Sequence, residues 1–138
     1  MNAKEYLLQV KKLDLLIKNK LIEAQQWKDI ALGVTANMGG ERVQSSGTKS
    51  KMADALVKAL DIESEINSLI DKLIDTKKEV IQTIERLSSP LQYDVLHLSY
   101  IQFMTLQEIA DKYGMSYDWA KQTHKRALKN VQRIIDER

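Results

Sequence analysis

The sequence predicts an all-α protein, built from a long antiparallel helical hairpin with a coiled-coil-like pattern and a C-terminal helix-turn-helix module. The 138 residues include only one proline and five glycines, which favours long helices over a loop-rich fold. Apolar residues recur at steps of three and four along two long stretches. Signals that begin and end short helices then follow one another after residue 88. We therefore predict a helical hairpin at residues 1–88 and a separate helix-turn-helix module at residues 89–138.

The first helix is predicted over residues 2–32. Its inward stripe follows helical spacing and consists of Tyr6, Val10, Leu13, Ile17, Leu21, Ala24, Trp27 and Ala31. Residues 33–50 lose this period and are rich in Gly, Ser and Thr, as connecting segments are. Two interpretations of this segment stay open. It is either a mobile connector or a contact with DNA or a partner through Arg42, Gln44 and Lys49.

The second helix is predicted over residues 51–87. Its main stripe steps alternately by three and four residues and consists of Met52, Ala55, Ala59, Ile62, Ile66, Leu69, Leu73, Thr76, Val80, Thr83 and Leu87. A second apolar row beside it contains Ile70, Ile74, Ile81 and Ile84. One partner helix cannot cover a stripe of this width, so we expect a homo-oligomer, either a dimer or a larger assembly.

A break in the pattern at residues 88–90 opens the C-terminal part. Ser89 can cap a helix that has Pro90 in its first position, and Gln92 would complete a capping box. This third helix, predicted over residues 90–101, should bury Leu91, Val95 and Leu98, with Tyr100 beside them. The break marks the predicted boundary between the two parts.

Two further helices are predicted around a glycine. Thr105 and Glu108 have the spacing of a capping box, which predicts a helix over residues 106–113. Gly114 can adopt the left-handed conformation that ends a helix, and Ser116 can cap the next one. In a helix-turn-helix the two helices cross closely, so the first helix has a small residue at the crossing. A turn residue follows about four positions later. An apolar residue of the second helix lies about ten positions after the small one. Ala110, Gly114 and Ala120 have this spacing.

The outer surface of the last helix carries side chains that suit DNA. Residues 116–135 contain five basic residues against Asp118 alone, a local charge of +4, whereas the whole chain has a net charge of only +2. Basic side chains neutralise phosphates, and Lys and Gln donate to base edges. The candidate DNA-binding residues are Tyr117, Asp118, Lys121, Gln122, Lys125, Arg126, Lys129 and Arg133.

These segments resemble a known family. "VLHLSYIQFMTLQEIA", "TLQEIADKYGMS" and "KRALKNVQRI" are similar to region 4 of the bacterial sigma-70 family, which reads the −35 promoter element. The resemblance covers residues 90–135. It implies that Tyr117, Asp118, Lys121, Gln122 and Lys125 contact bases or phosphates. Two residues depart from the pattern, because Ala120 replaces the usual Val or Ile and Trp119 replaces a polar residue. Trp119 is therefore expected to pack on the N-terminal helices or on a partner.

A more specific resemblance spans nearly the whole chain. With "KEYLLQVKKLDLLIKNK" and "ERVQSSGTKSKMADALV", the sequence resembles small phage and prophage transcription regulators of Gram-positive bacteria, described as sigma-region-4-like or ArpU-like. This resemblance implies control of phage gene expression. Residues 1–87 contain only Tyr6 and Trp27 as aromatic residues, so they lack the aromatic cluster with which a complete sigma factor holds melted promoter DNA.

Several classes of function are not expected. The chain has no cysteine, which excludes disulfides, thiolate zinc sites and cysteine nucleophiles. His97 and His124 have no partners at ligand spacing, and no phosphate loop or nucleophile motif is present, so we expect no metal, no cofactor and no enzyme activity. The N-terminus lacks the apolar core of a signal peptide, and no apolar run approaches the roughly 20 residues needed to span a membrane, which predicts a cytoplasmic location.

Taken together, these features predict a transcription regulator that binds double-stranded DNA. RNA polymerase is a second candidate partner. Two alternatives stay open. One is an oligomer similar to a phage small terminase subunit, although that class usually has its DNA-binding unit first. The other is a coiled-coil adaptor that binds RNA polymerase without touching DNA.

Overall fold

The computed structural model describes residues 1–33 and 46–138. These residues form five α-helices, with no strand among them: α1 (Ala3–Ala31), α2 (Ser46–Ile84), α3 (Pro90–Tyr100), α4 (Leu106–Tyr113) and α5 (Tyr117–Asp136). The predicted all-α class is confirmed, with two long N-terminal helices and a C-terminal helix-turn-helix. None of the helices described is long and apolar enough to cross a membrane.

The second helix begins earlier than the sequence pattern predicts. α2 begins at Ser46, whereas the apolar period is visible only from residue 51, because a helix can propagate through polar residues that contribute nothing to a stripe. At its other end α2 stops at Ile84, and the next residues form a tighter turn. The N–H groups of Arg86 and Leu87 donate to the carbonyls of Thr83 and Ile84, at 3.2 and 3.1 Å.

The chain forms two compact units, residues 14–72 and residues 1–13 with 73–138, and α1 and α2 contribute to both. In the first unit the two helices run antiparallel. Lys20 pairs with Glu65 at 3.1 Å, and Lys28, about two turns further along α1, pairs with Glu63, which precedes Glu65 on α2. The buried residues of this unit are Ile17, Ala24, Ala55, Ala59, Ile62 and Ile66. Leu21 was predicted to be buried and is exposed instead, because it lies to one side of the face on which Ile17 and Ala24 are buried.

The second unit joins both ends of the chain in one core. Its buried cluster consists of Ala3, Tyr6, Leu7, Val10, Val80, Ile84, Leu96, Tyr100, Ile101, Ala127 and Val131. Polar contacts follow the same arrangement. The Ala3 N–H donates to the Gln132 side chain at 2.7 Å, and the Tyr6 hydroxyl lies 2.9 Å from that of Thr83. Arg138 is hydrogen-bonded to the Thr83 hydroxyl and lies over the Tyr6 ring, 5.5 Å from its centroid. The first turns of α1 therefore form part of the core that supports α5.

The second apolar row of α2 divides into buried and exposed members. Ile84 is fully buried and Ile81 packs against the core cluster, whereas Ile70 and Ile74 are exposed. The row that predicted self-association is thus partly covered within the chain.

α3 begins as predicted but packs somewhat differently. The Gln92 N–H donates to Ser89 Oγ at 3.2 Å, and Pro90 follows the cap. The Gln92 side chain does not complete a capping box, because its oxygen accepts instead from Asn130 Nδ2 on α5 at 2.7 Å. Val95 and Leu98 are buried as predicted, whereas Leu91 is 37% exposed.

Candidate nucleic-acid interface

α4 is fixed at its start by the predicted capping box. The Glu108 N–H donates to Thr105 Oγ1 at 3.2 Å, and the Thr105 N–H donates back to Glu108 Oε1 at 3.0 Å. The hydrogen bond that the Glu108 carboxyl accepts from the Thr105 backbone, and secondly its hydrogen bond with the Thr105 side chain, lower the pKa of this carboxyl. On the inner side, Ile109 is buried against Val95 and Leu98 of α3.

The turn between α4 and α5 has the predicted glycine geometry. Gly114 has φ 64° and ψ 32°, in the left-handed region where glycine avoids the steric cost of a side chain. The following N–H, of Met115, donates to the Ala110 carbonyl at 2.9 Å. Ser116 then caps α5 by accepting from the Trp119 N–H at 3.1 Å. Backbone conformation and caps together set the direction in which α5 leaves α4.

The crossing of α4 and α5 has the predicted small residue in α4 and the predicted apolar residue in α5. Ala110 and Ala120 are both fully buried, and Ala110 leaves room for the close approach of the two helix backbones. The spacing of Ala110, Gly114 and Ala120 therefore corresponds to the geometry of a helix-turn-helix.

α5 has one buried face and one basic face. Its buried residues are Ala120, Thr123, Ala127 and Val131. All eight candidate DNA-binding residues are exposed on this helix: Tyr117, Asp118, Lys121, Gln122, Lys125, Arg126, Lys129 and Arg133. Five of them recur at steps of three and four along the side opposite the core, namely Asp118, Gln122, Lys125, Lys129 and Arg133. We call the exposed surface formed by all eight residues the basic face of α5.

The cations of the basic face are not held in ion pairs with any residue that the structure describes. Within the described part of the chain, the salt bridges involve Lys18, Lys20, Lys28 and Arg138, and no cation of α5 up to Arg133 is among them. Arg133 contacts only the amide oxygen of Asn130, at 3.5 Å. Their charge is therefore available to an anionic ligand.

Trp119 packs within this module, on the neighbouring helix. Its ring lies 5.4 Å from that of Tyr113, at an interplanar angle of 48°. The Tyr113 hydroxyl donates to the Asp94 carboxylate of α3, and this hydrogen bond raises the pKa of Tyr113 to about 12. Trp119 therefore joins α5 to α4 and, through Tyr113, to α3 rather than to the N-terminal helices, and its contact with a partner stays a prediction.

His124 is a residue of α5 and is paired with a tyrosine of α3. Its Nε2 is 2.7 Å from the Tyr100 hydroxyl, and the two rings stack with centroids 5.5 Å apart. Burial, and secondly the charge of Lys4, lower the pKa of His124, while burial raises the pKa of Tyr100 to about 12. The first turn of α1 lies beside α5, since the Ala3 N–H donates to the Gln132 side chain, and it brings the exposed Lys4 near His124. No pattern in the sequence indicates this, because 120 positions separate the two residues.

The predicted loop contacts are not part of this surface as described. Arg42 and Gln44 lie outside the described residues. Lys49 was predicted in a loop and is an exposed residue of α2 instead, because that helix begins at Ser46. His97, the other histidine, contacts Gln102 at 3.0 Å, and the described residues contain no group of ligands that could hold a metal ion.

Comparison with known proteins gives one match. Residues 89–133 match the family model described as Sigma-70, region 4. No curated protein and no solved structure matches the chain. The matched residues comprise α3, α4 and most of α5, and therefore the whole crossing described above. The C-terminal part of the chain is a helix-turn-helix module of the sigma-70 region 4 type.

Proposed function

We propose that this protein is a transcription regulator that binds double-stranded DNA sequence-specifically, with α5 in the major groove. The observation that carries the proposal is the basic face of α5: eight exposed residues, five of them cations free of ion pairs within the described chain, on the second helix of a module of the sigma-70 region 4 type. A helix-turn-helix places the start of its second helix against base edges. This protein needs no cofactor for such binding and is not an enzyme.

The residues of α5 divide by their position along the helix. Tyr117, Lys121, Gln122 and Lys125 lie in the first half, which reaches the bases in this docking geometry. Their donors fit the acceptor edges of guanine and adenine, so they would supply specificity. Arg126, Lys129 and Arg133 lie further along and would neutralise phosphates, which supplies affinity for any sequence. Asp118 is the one carboxylate of this face and would accept from a cytosine amino group.

The turn before α5 adds one residue that the sequence pattern did not single out. Met115 is 47% exposed, directly before the capping residue Ser116 and beside the exposed ring of Tyr117. An apolar side chain at this place suits contact with a thymine methyl group. The sequence contains one signal for Met115, namely that it is an apolar residue within a predicted turn.

Further proposals concern the biological role, the location and the partners of the protein. By resemblance, we propose that the protein controls phage or prophage gene expression in Gram-positive bacteria, in the cytoplasm, and that RNA polymerase is a second partner. We also propose that it works as a homo-oligomer, since a dimer would present two modules to two half-sites. The exposed apolar side chains of the two long helices, α1 and α2, support self-association.

The test is DNA binding by paired variants, on a duplex selected from random sequences by the wild-type protein. Lys121→Ala with Lys125→Ala removes two base-reading cations, and Lys77→Ala with Lys78→Ala removes two exposed cations of α2 as a control for charge. If each base contact is worth a factor of about 10, the first pair weakens binding to the selected duplex about 100-fold. The control pair should bind nearly as tightly as wild type. Equal affinity of the Lys121/Lys125 variant and wild type at modest salt would show that α5 is not the recognition helix.

A second pair separates phosphate contacts from base contacts. Lys129→Ala with Arg133→Ala should weaken binding to the selected duplex and to unrelated duplexes alike. The slope of log affinity against log salt should become shallower by about 1.8, or about 0.9 for each phosphate that the variant no longer neutralises. A change confined to the selected duplex would contradict this division of roles.

Measurements on the same wild-type protein distinguish the two alternative functions, a terminase-like oligomer and an adaptor that binds RNA polymerase. A protein similar to a small terminase subunit would assemble into large rings, visible by light scattering. An adaptor that acts through RNA polymerase alone would retain no duplex in the selection.

A further inference from the structure

The part of α1 between residues 14 and 31 is apolar on two opposite sides. Ile17 and Ala24 are 8% and 4% exposed and form the buried side. Leu15 and Ile22, also seven residues apart, are 50% and 57% exposed. Residues two positions apart on a helix point about 200° apart, so the second pair faces away from the first. A helix that needed only one partner would be polar on this side.

The exposed side forms a continuous stripe without charge. We define the outer stripe of α1 as five exposed residues at steps of four, three, four and four: Leu15, Asn19, Ile22, Gln26 and Ile30. Charged residues lie to its sides, where Lys18 pairs with Asp14 at 2.8 Å and Lys20 with Glu65 at 3.1 Å. Leu15, Ile22 and Ile30 recur along it at intervals of seven and eight residues, as the apolar residues of a seam between two helices do.

The composition of the stripe fits a second copy of itself. A two-fold interface brings the same surface of each subunit together, so a charged stripe would repel its copy, and this one has no charge. If the two helices run in opposite directions, Leu15 meets Ile30, Asn19 meets Gln26, and Ile22 meets Ile22 of the other copy near the axis. Apolar side chains then meet apolar ones, and amides meet amides with which they can hydrogen-bond.

The flanking charges fit an antiparallel pair. Lys18 and Asp29 lie on the same side of the stripe, and a two-fold axis perpendicular to the helices keeps them on that side, so each lies near the other in the partner. Opposite charges in such positions stabilise a helical pair.

The other exposed row of this unit fits a second copy less well. On α2, Leu56, Leu60 and Ile70 are exposed, but Glu63 lies midway between Leu56 and Ile70 and is paired with Lys28 of its own chain. A two-fold axis through the centre of this row would bring two Glu63 carboxylates together. Leu60 is therefore a suitable site for a control substitution.

We propose that the outer stripe of α1 is the dimer interface of this protein, with the two copies of α1 packed antiparallel. This inference rests on the self-association in the proposed function and needs no DNA. The stripe spans 15 steps of 1.5 Å, or roughly 22 Å, which gives an interface at the small end of the specific range. We therefore expect a dimer that dissociates at micromolar concentration.

The first measurement is sedimentation equilibrium of the full chain without DNA. Ile22→Glu places two carboxylates at the axis and should give a monomer, whereas Leu60→Glu, at a site that is 54% exposed against 57% for Ile22, should leave the dimer intact. Circular dichroism checks that both variants stay helical. A dimeric Ile22→Glu protein, or equal loss of the dimer in both variants, would overturn the assignment to this stripe while self-association itself would stand. A wild-type protein that stays monomeric at concentrations far above the micromolar range would refute both, and the Lys121/Lys125 assay would still decide DNA binding.

The second measurement tests direction and does not depend on a disruptive charge. The chain has no cysteine, so single cysteines report unambiguously. Under mild oxidation, Ile22→Cys should form a covalent dimer with itself. Leu15→Cys should cross-link to Ile30→Cys in a mixture of the two proteins faster than either cross-links to itself. Cross-linking of Leu15→Cys mainly to itself would show a parallel pair and refute the antiparallel interface.

Discussion

Leu7 offers the sharpest test of the fold, because the structure places it under a module that begins more than 80 residues later in the chain. The side chain is fully buried, in a cluster that includes Leu96 of α3 and Val131 of α5. Leu7→Ala removes three carbon atoms from this core. Substitutions of this kind cost about 3 kcal/mol, because apolar burial is reduced and a cavity is left behind.

Urea unfolding followed by circular dichroism measures this destabilisation. With a slope of about 2 kcal/mol per molar urea for a chain of this size, the midpoint should fall by about 1.5 M. Leu91→Ala makes the same chemical change at a site that is 37% exposed, and it should cost less than about 1 kcal/mol. Equal midpoints for the two variants would refute the claim that the first turns of α1 support the helix-turn-helix.

Three further outcomes follow from the geometry. Residues 89–138 expressed alone should give little cooperative unfolding, because that fragment lacks Leu7, Val80 and Ile84 of the shared core. If the fragment is stable and unfolds cooperatively, the predicted boundary near residue 88 is a true domain boundary. Gly114→Ala should cost about 1 kcal/mol in urea unfolding, from left-handed backbone strain alone, because an added Cβ meets no atom within 4 Å; no loss at all would contradict the φ of 64°. The pKa of His124 is lowered by folding, so the stability it confers is present above its unfolded pKa of about 6.5 and is lost as pH falls through the folded value. His124→Asn should therefore flatten the decline of the unfolding free energy below about pH 6.5, and an unchanged decline would exclude His124 as its source.

Local signals predicted the helix-turn-helix well, because each depends on a few neighbouring residues. The Thr105 and Glu108 capping box, the left-handed Gly114 and the Ser116 cap all lie as predicted, since backbone sterics and short-range hydrogen bonds decide them. The inward stripe of α2 is also mostly buried, because two long helices leave little choice about which face packs.

Contacts between distant segments were not predictable in the same way. Helical spacing suggested that Leu21 and Leu91 were buried, but both are exposed. Spacing shows which residues share a face and not how far a partner helix extends across it. Leu7 and Lys4 show the converse. Their places beside α3 and α5 depend on how the chain ends meet, and a single sequence contains no periodic signal for that.

The two departures of α5 from the sigma-70 pattern have a common physical explanation. Ala120 fills less space than the usual Val or Ile, so its burial at the crossing anchors α5 less strongly. Trp119, one position earlier, adds contact at the edge of the same crossing by packing on Tyr113. Because the Tyr113 hydroxyl donates to Asp94, this contact reaches α3 as well. A large aromatic pair outside the crossing thus adds packing where the residue inside it is small, on the edge of α5 next to Ser116 and Met115. The aromatic pair therefore links the first turn of α5 to α4 and, through Asp94, to α3.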